Sequence, residues 1–265
     1  MKVALAQLDI AWENKQENQK RCCVMLEQAK EQCAELIIFP EMTLTGFSMN
    51  TEELGETIEN SETIAFFKQK AQQYDMTICF GMIVKSGEKS ENHCIVISKK
   101  GEIIADYAKI HPFSYGTESK FYSGGEHVTY YTVDDITFSP LICYDLRFPE
   151  VFQVCSEKSY VITVIANWPT PRRCHWVSLL KARAIENQCY ILGINRCGDG
   201  DGLEYSGDSM IIDPYGKVVS MAKQSSQMLV IGDIDANIVT QYRKEFPLKQ
   251  DRKSQLYSQM YQNKK

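Results

Sequence analysis

The chain has 265 residues, 44% hydrophobic and 24% charged, with a formal net charge of −5. Such values fit a globular chain with a full core, and the absence of a basic block excludes a nucleic-acid footprint. No apolar run approaches the roughly 18 residues that a membrane-spanning helix needs, so no membrane partner is expected.

Residues 2–8 read as an apolar strand ending near Gln7. Residues 14–33 read as a helix, with Cys22, Leu26, Ala29 and Cys33 at three- and four-residue spacing on one face. Leu36 to Phe39 is a short continuous apolar run, the mark of a strand buried on both sides, and it stops at Pro40-Glu41. A loop carrying Gly46, Phe47 and Met49 leads to a helix near 61–74. Three β-rich runs follow at 76–84, 92–98 and 102–107, separated by hairpin-like turns. Antiparallel neighbours are thus mixed into an α/β pattern.

Residues 109–125 form a loop too long for a simple connection, opening with Lys109 and containing Glu118. The apolar stretch Pro140-Leu141-Ile142 then delivers Cys143 into Tyr144-Asp145-Leu146-Arg147-Phe148-Pro149. Strand, cysteine, tight turn and a helix opened by Pro149 present a thiol at a strand tip, beside backbone N–H groups able to stabilise negative charge. A helix near 149–157 leads to a strand at 160–166 that ends in Asn167-Trp168-Pro169. Helix 174–188, strand 189–194, a Gly/Asp loop at 198–202 and strands at 208–213, 217–221 and 228–235 complete the pattern. The remainder from 237 reads as a polar tail packing on the rest of the chain or on a second subunit. With no repeat, linker or composition break, residues 1–265 are expected to form one domain.

Ten cysteines are present, scattered, with Cys79, Cys94 and Cys189 inside apolar runs where a free thiol behaves as a small hydrophobe. No Cys-x-x-Cys or His-x-x-x-His spacing occurs, so neither a metal nor another cofactor is expected. The opening Met-Lys-Val-Ala-Leu-Ala-Gln reads as a strand rather than a secretory signal, which points to a reduced, cytoplasmic compartment.

Glu41, Lys109, Glu118 and Cys143 all fall in loops or at segment ends. A carboxylate can take a thiol proton, and an ammonium can stabilise a thiolate and the oxyanion formed on attack at a carbonyl. Taken singly, each is more often surface or packing. His111 and His175 leave a Cys–His pair open on residue types alone.

The motifs bind these residues together. Phe-Pro-Glu-Met-Thr-Leu-Thr-Gly-Phe (39–47), Tyr-Ala-Lys-Ile-His (107–111) and Leu-Ile-Cys-Tyr-Asp-Leu-Arg-Phe-Pro-Glu (141–150) stand in this order. Gln7, Lys-Ala-Arg-Ala-Ile-Glu-Asn (181–187) and Gly-Asp-Ser (207–209) accompany them. In these segments the chain resembles the nitrilase, or carbon–nitrogen hydrolase, superfamily over nearly its whole length. The resemblance implies a four-layer α-β-β-α sandwich with mixed sheets and association as a homodimer or larger homo-oligomer. It also implies Cys143 as nucleophile, Glu41 as general base and Lys109 as oxyanion stabiliser, joined by the Tyr144 backbone N–H. Glu118 matches a second glutamate beside the lysine, and the histidines become structural.

Within the superfamily the resemblance is closest to the omega-amidases, through Gly46–Met49, Glu118–Tyr122, Gly124, Asn167-Trp168-Pro169-Thr170-Pro171-Arg172 and His175-Trp176. It implies hydrolysis of 2-oxoglutaramate and 2-oxosuccinamate to the 2-oxo acid and ammonia through a cysteine thioester. A carboxylate distal to the scissile amide wants a guanidinium, and Arg172, in a Pro-stiffened loop, is the expected ligand ahead of Arg173. Phe47, Phe113 and Trp168 are expected as apolar walls. The alternatives are another amidase or N-carbamoyl hydrolase of the superfamily, a catalytically silent interaction protein on the same fold, and a cysteine redox sensor. Titration with iodoacetamide separates these readings: a hyper-reactive thiol at Cys143 argues for an enzyme and an ordinary one for the silent protein.

Overall fold

The computed structural model describes residues 1–262. It opens with β1 (Lys2–Gln7), α1 (Lys15–Glu31), β2 (Leu36–Ile38), α2 (Thr51–Leu54) and α3 (Glu62–Tyr74), followed by β3 (Thr77–Ser86), β4 (Lys89–Ile97) and β5 (Ile103–Ala108). Next come α4 (Glu118–Phe121), β6 (Tyr122–Ser123), β7 (Tyr131–Val133) and β8 (Ile136–Ile142). A 3-10 turn over Cys143–Arg147 leads to α5 (Pro149–Ser156), β9 (Val161–Ala166), α6 (Arg173–Asn187) and β10 (Tyr190–Asn195). The chain continues through β11 (Cys197–Gly200), β12 (Leu203–Ser206), β13 (Met210–Ile212), β14 (Val218–Met221), β15 (Met228–Asp233), α7 (Ala236–Glu245) and α8 (Ser254–Gln262).

One sheet runs β15-β1-β2-β3-β4-β5, with β6 added on β4; the other runs β14-β13-β10-β9-β8-β7. Parallel pairs (β1–β2, β2–β3, β8–β9, β9–β10) sit at the centres and antiparallel pairs at the flanks. The period of two in a strand explains the layers. In β1, Val3 and Leu5 enter one buried cluster and Ala4 and Ala6 another; in β2, Leu36 and Ile38 oppose Ile37; in β4, Cys94 and Val96 oppose Ile95 and Ile97. The first cluster joins the two sheets, and the second seats Met25, Leu26, Ile64 and Phe67 of α1 and α3 on the outer face of the first sheet. On the far side, Phe152 of α5 and Trp176, Leu180 and Ala184 of α6 cover the second sheet. The resulting order is helix, sheet, sheet, helix.

Four local differences from the sequence reading have physical causes. Cys33 is exposed, because α1 stops at Glu31 and Cys33 turns out of it at φ 57°. The Gly/Asp stretch at 198–202 belongs to a two-stranded hairpin, β11–β12. The loop at 109–125 contains the helical turn α4 and the short strand β6. The polar remainder begins with a helix capped by the Asp235 side chain, which accepts the Asn237 N–H. Its cations then meet carbonyls at the C-terminal ends of α5 and α6. Lys249 Nζ donates to the Ser156 carbonyl, Arg243 to those of Ser159 and Gln188, and Arg252 to that of Glu186. Among the described residues no helix is long and apolar enough to cross a membrane.

Candidate active site

At the tip of β8, Cys143 adopts a left-handed backbone (φ +45°) as the chain enters the 3-10 turn. A non-glycine residue there is strained by about 1 kcal/mol or more, so its surroundings must hold it. Asp145, fully buried, does so. Its Oδ2 accepts the Ile142 N–H at 3.0 Å and the Tyr107 hydroxyl at 2.7 Å, and its Oδ1 accepts the His111 N–H at 3.0 Å. His111 Nδ1 lies 2.8 Å from that same Oδ1, and the imidazole stacks on Phe148 with ring centroids 3.7 Å apart. Arg183 of α6 grips the Leu146 carbonyl through Nε and Nη2, at 3.1 and 2.8 Å. Pro149 then opens α5, at the first-turn position where its missing N–H leaves no bond unmade.

Glu41 follows the tip of β2 and is 0% exposed. Its seat depends on Gly81 of β3. A Cβ at position 81 would lie 2.4 Å from the Met42 nitrogen and 2.7 Å from the Glu41 Cα, so the two backbones meet where a side chain would stand. Thr43 fastens the contact, its N–H donating to the Gly81 carbonyl and its hydroxyl accepting the Gly81 N–H. Glu41 Oε1 accepts from Asn92 Nδ2 at 2.7 Å and from Lys109 Nζ at 3.0 Å; Oε2 accepts the Asn167 backbone N–H at 2.8 Å.

Lys109, just past β5, is 1% exposed, and Glu118 of α4 is 0% exposed. Nζ lies 2.9 Å from each Glu118 oxygen. Asn92 Nδ2 also reaches Glu118 Oε1 at 3.2 Å, and the Phe113 N–H donates to Oε2. Burial alone would lower the lysine pKa, but Glu118 and Glu41, aided by Cys143, overcome it and hold the ammonium above its ordinary value. For the thiol the balance runs the other way. Burial first, then the charge of Glu41, push the Cys143 pKa well above the usual thiol range, against a smaller lowering by Lys109. These influences favour the protonated thiol at Cys143, with Glu41 beside it to receive the proton as sulfur attacks.

These groups open onto a cavity of about 70 Å³ lined by Phe47, Lys109, Phe113, Cys143, Tyr144, Arg147, Asn167, Trp168, Pro169, Arg172, Leu203 and Tyr205. Its size limits an occupant to a small molecule.

A family model for carbon–nitrogen hydrolases matches residues 2–244. The chain belongs to the carbon–nitrogen hydrolase family. The 2-oxoglutaramate amidase of Bacillus subtilis (strain 168) is 32% identical over 258 residues, covering 96% of this chain and 98% of that protein. Omega-amidase YafV of Escherichia coli (strain K12) is 31% identical over 252 residues, covering 95% and 96%. Among solved structures, XC1258 from Xanthomonas campestris, a CN-hydrolase superfamily protein with an arsenic adduct in its active site, matches with a TM-score of 0.89 at 27% identity. It covers 95% of this chain and 97% of that one.

Within this carbon–nitrogen hydrolase, all four reactive residues expected from the motifs meet, and Tyr144, Phe47, Phe113, Trp168 and Arg172 line the same cavity. The two candidate arginines part company. Arg173 is committed to Asp208, with Nε and Nη2 each 2.8 Å from a carboxylate oxygen. Arg172 has no carboxylate partner among the described residues, and its guanidinium carbon lies 5.4 Å over the Phe113 ring. The indole N–H of Trp168 donates to the Arg172 carbonyl at 2.8 Å and so fixes its loop. His175 stands 3.3 Å from Arg147, away from the nucleophile's own contacts. Asn167, Asp145 and Arg147 stand in the motifs but received no role from the sequence, and Asn92 drew no notice there. An asparagine inside an apolar strand, as in Asn92-His93-Cys94, was the one available sign.

Proposed function

We propose that this carbon–nitrogen hydrolase is an omega-amidase, cleaving the terminal amide of 2-oxo-dicarboxylate monoamides such as 2-oxoglutaramate and 2-oxosuccinamate. The observation that carries the reading is Arg172, a guanidinium without a carboxylate partner among the described residues, in the same small cavity as Cys143. A substrate with an amide at one end and a carboxylate at the other matches both groups. The names of the Bacillus subtilis and Escherichia coli relatives support the same class.

Bound with its amide carbon against Sγ, the substrate is attacked as Glu41 takes the thiol proton. The oxyanion is stabilised by the Lys109 ammonium and the Tyr144 backbone N–H. Glu118 keeps the ammonium in place. Collapse breaks the C–N bond, the proton on Glu41 passes to nitrogen, and ammonia leaves an acyl thioester on Cys143. Water then gives a proton to Glu41 as its oxygen adds to the thioester. The second tetrahedral species expels sulfur, which recovers the proton, and the 2-oxo acid departs.

The test is ammonia release from 2-oxoglutaramate, measured for the wild type, Cys143→Ala and Arg172→Ala. The reading expects loss of turnover in the first variant and a raised KM in the second. Retained turnover in Cys143→Ala would end it, and an unchanged KM in Arg172→Ala would move the substrate to an amide without a distal carboxylate.

A further inference from the structure

Tyr205 is a buried side chain of the cavity that the reaction above leaves unused. It stands on β12, opposite Gly198 of β11, and is 2% exposed, so the cavity it lines is the space open to it. Its hydroxyl makes no hydrogen bond to another described residue. Burial raises its pKa to about 12; Arg196 opposes that rise, and Glu41 and Cys143 are near enough to add to it. The phenol is thus a neutral donor facing the reacting groups.

Its ring is held from behind. Arg196, 0% exposed, lies with its guanidinium carbon 4.5 Å over the Tyr205 ring. The same guanidinium donates to the carbonyls of Ile10 (2.9 Å), Cys197 (3.1 Å) and Asp199 (2.8 Å). A Cβ at Gly200 would stand 2.6 Å from Nη1, so the hairpin backbone is pressed against the cation. Tyr205 is therefore rigidly placed while its hydroxyl remains unpartnered.

A hydroxyl that faces the cavity with no protein partner is free to donate to an oxygen of a bound molecule in place of water. Around it the cavity is apolar on the sides of Phe47, Trp168, Pro169 and Leu203, and the Lys109 ammonium is assigned to the oxyanion at the scissile carbonyl. We propose that Tyr205 is a specificity-determining residue whose hydroxyl donates to the 2-oxo oxygen, between the scissile carbonyl at Cys143 and the carboxylate at Arg172. This deepens the omega-amidase reading and rests on it. A site that hydrogen-bonds a substrate oxygen discriminates strongly against the analogue that lacks it.

The experiment compares 2-oxoglutaramate with glutaramate, which differs only in lacking the oxo group. The wild type should favour the oxo substrate in kcat/KM, and Tyr205→Phe should reduce that preference, the ratio of kcat/KM for the two substrates, by about 10- to 100-fold. Equal loss on both substrates, or an unaltered preference, overturns the assignment while leaving the omega-amidase reading standing. A wild type that hydrolyses glutaramate but not 2-oxoglutaramate overturns both. A measurement without any variant serves if Tyr205→Phe does not fold. The wild type should be inhibited more strongly by 2-oxoglutarate than by glutarate, and equal inhibition rejects the proposal.

Discussion

Glu118 holds Lys109 with both carboxylate oxygens, each 2.9 Å from Nζ, while Glu41 reaches the same ammonium with one oxygen at 3.0 Å. Two buried carboxylates thus share one buried cation. Removing the Glu118 charge leaves Lys109 to Glu41 alone, and the tighter pair makes Glu41 a poorer proton acceptor. Glu118→Gln should therefore lower kcat by about 10²-fold with little change in KM. Steady-state kinetics decide it, and an unchanged kcat would show that Glu41 works independently of its neighbour.

The charge of Glu41 helps to keep Cys143 protonated. Glu41→Gln removes that charge and the base together, so two readouts should move in opposite directions. Amide hydrolysis should collapse, whereas alkylation of Cys143 by iodoacetamide at neutral pH should accelerate, because the thiol pKa falls. A mass-spectrometric time course at several pH values follows the second effect. Slower alkylation in the variant would mean that Glu41 favours the thiolate in the resting site.

The adjacent arginines separate binding from stability. Arg172→Ala should raise KM for omega-amides by about 10- to 100-fold and leave the melting temperature within a degree or so, since no ion pair is lost. Among the described residues, Arg173→Ala leaves the fully buried Asp208 with only the Ser206 hydroxyl at 2.7 Å and Gln224 at 3.2 Å. A loss of about 2 kcal/mol is expected, less than for a wholly buried pair because Arg173 is partly exposed. Urea melts of the two proteins test the contrast.

Glu56 supplies a pH dependence remote from the cavity. It caps α3 by accepting the Thr63 N–H and the hydroxyls of Ser61 and Thr63, and it pairs with Lys15. Burial would raise its pKa, but these bonds outweigh burial and bring it to about 2. A carboxyl whose pKa is depressed on folding stabilises fully above its unfolded value near 4.5 and loses that contribution as the pH falls toward 2. Glu56→Gln should accordingly cost about 1–2 kcal/mol at pH 7, discounted for the solvent that still reaches the carboxylate, and the gap to wild type should close on acidification. A gap independent of pH would assign the loss to packing.

The reactive residues were legible because each follows an apolar run: Glu41 after Leu36–Phe39, Lys109 after Tyr107-Ala108, Cys143 after Leu141-Ile142. Strand tips are where a period-two pattern ends, and the motif order joined the tips into one site. What orients them was not legible. Asn92 lies within β4, yet it bonds both Glu41 and Glu118, a contact created by the β3–β4 pairing and by the fold of α4. Asp145 looked like turn material and instead gathers Ile142, Tyr107 and His111 from three segments. The β11–β12 hairpin was missed because Gly198, Gly200 and Gly202 carry no alternating apolar pattern; its tertiary contacts, not local propensity, order it. Cys33 failed in the opposite sense, its helical spacing continuing past the point where the backbone leaves the helix.

Gly81 carries no chemistry, yet Glu41 can approach Lys109 only because nothing projects from that point of β3. Substituting Gly81 with alanine would force the strand and the carboxylate apart, although every reactive group would survive intact. Inheritance of activity among chains of this kind is therefore a matter of clearance as well as of functional groups. A sequence that retains the glutamate, lysine and cysteine but fills this one vacant place would keep the appearance of an amidase and lose the contact on which turnover depends.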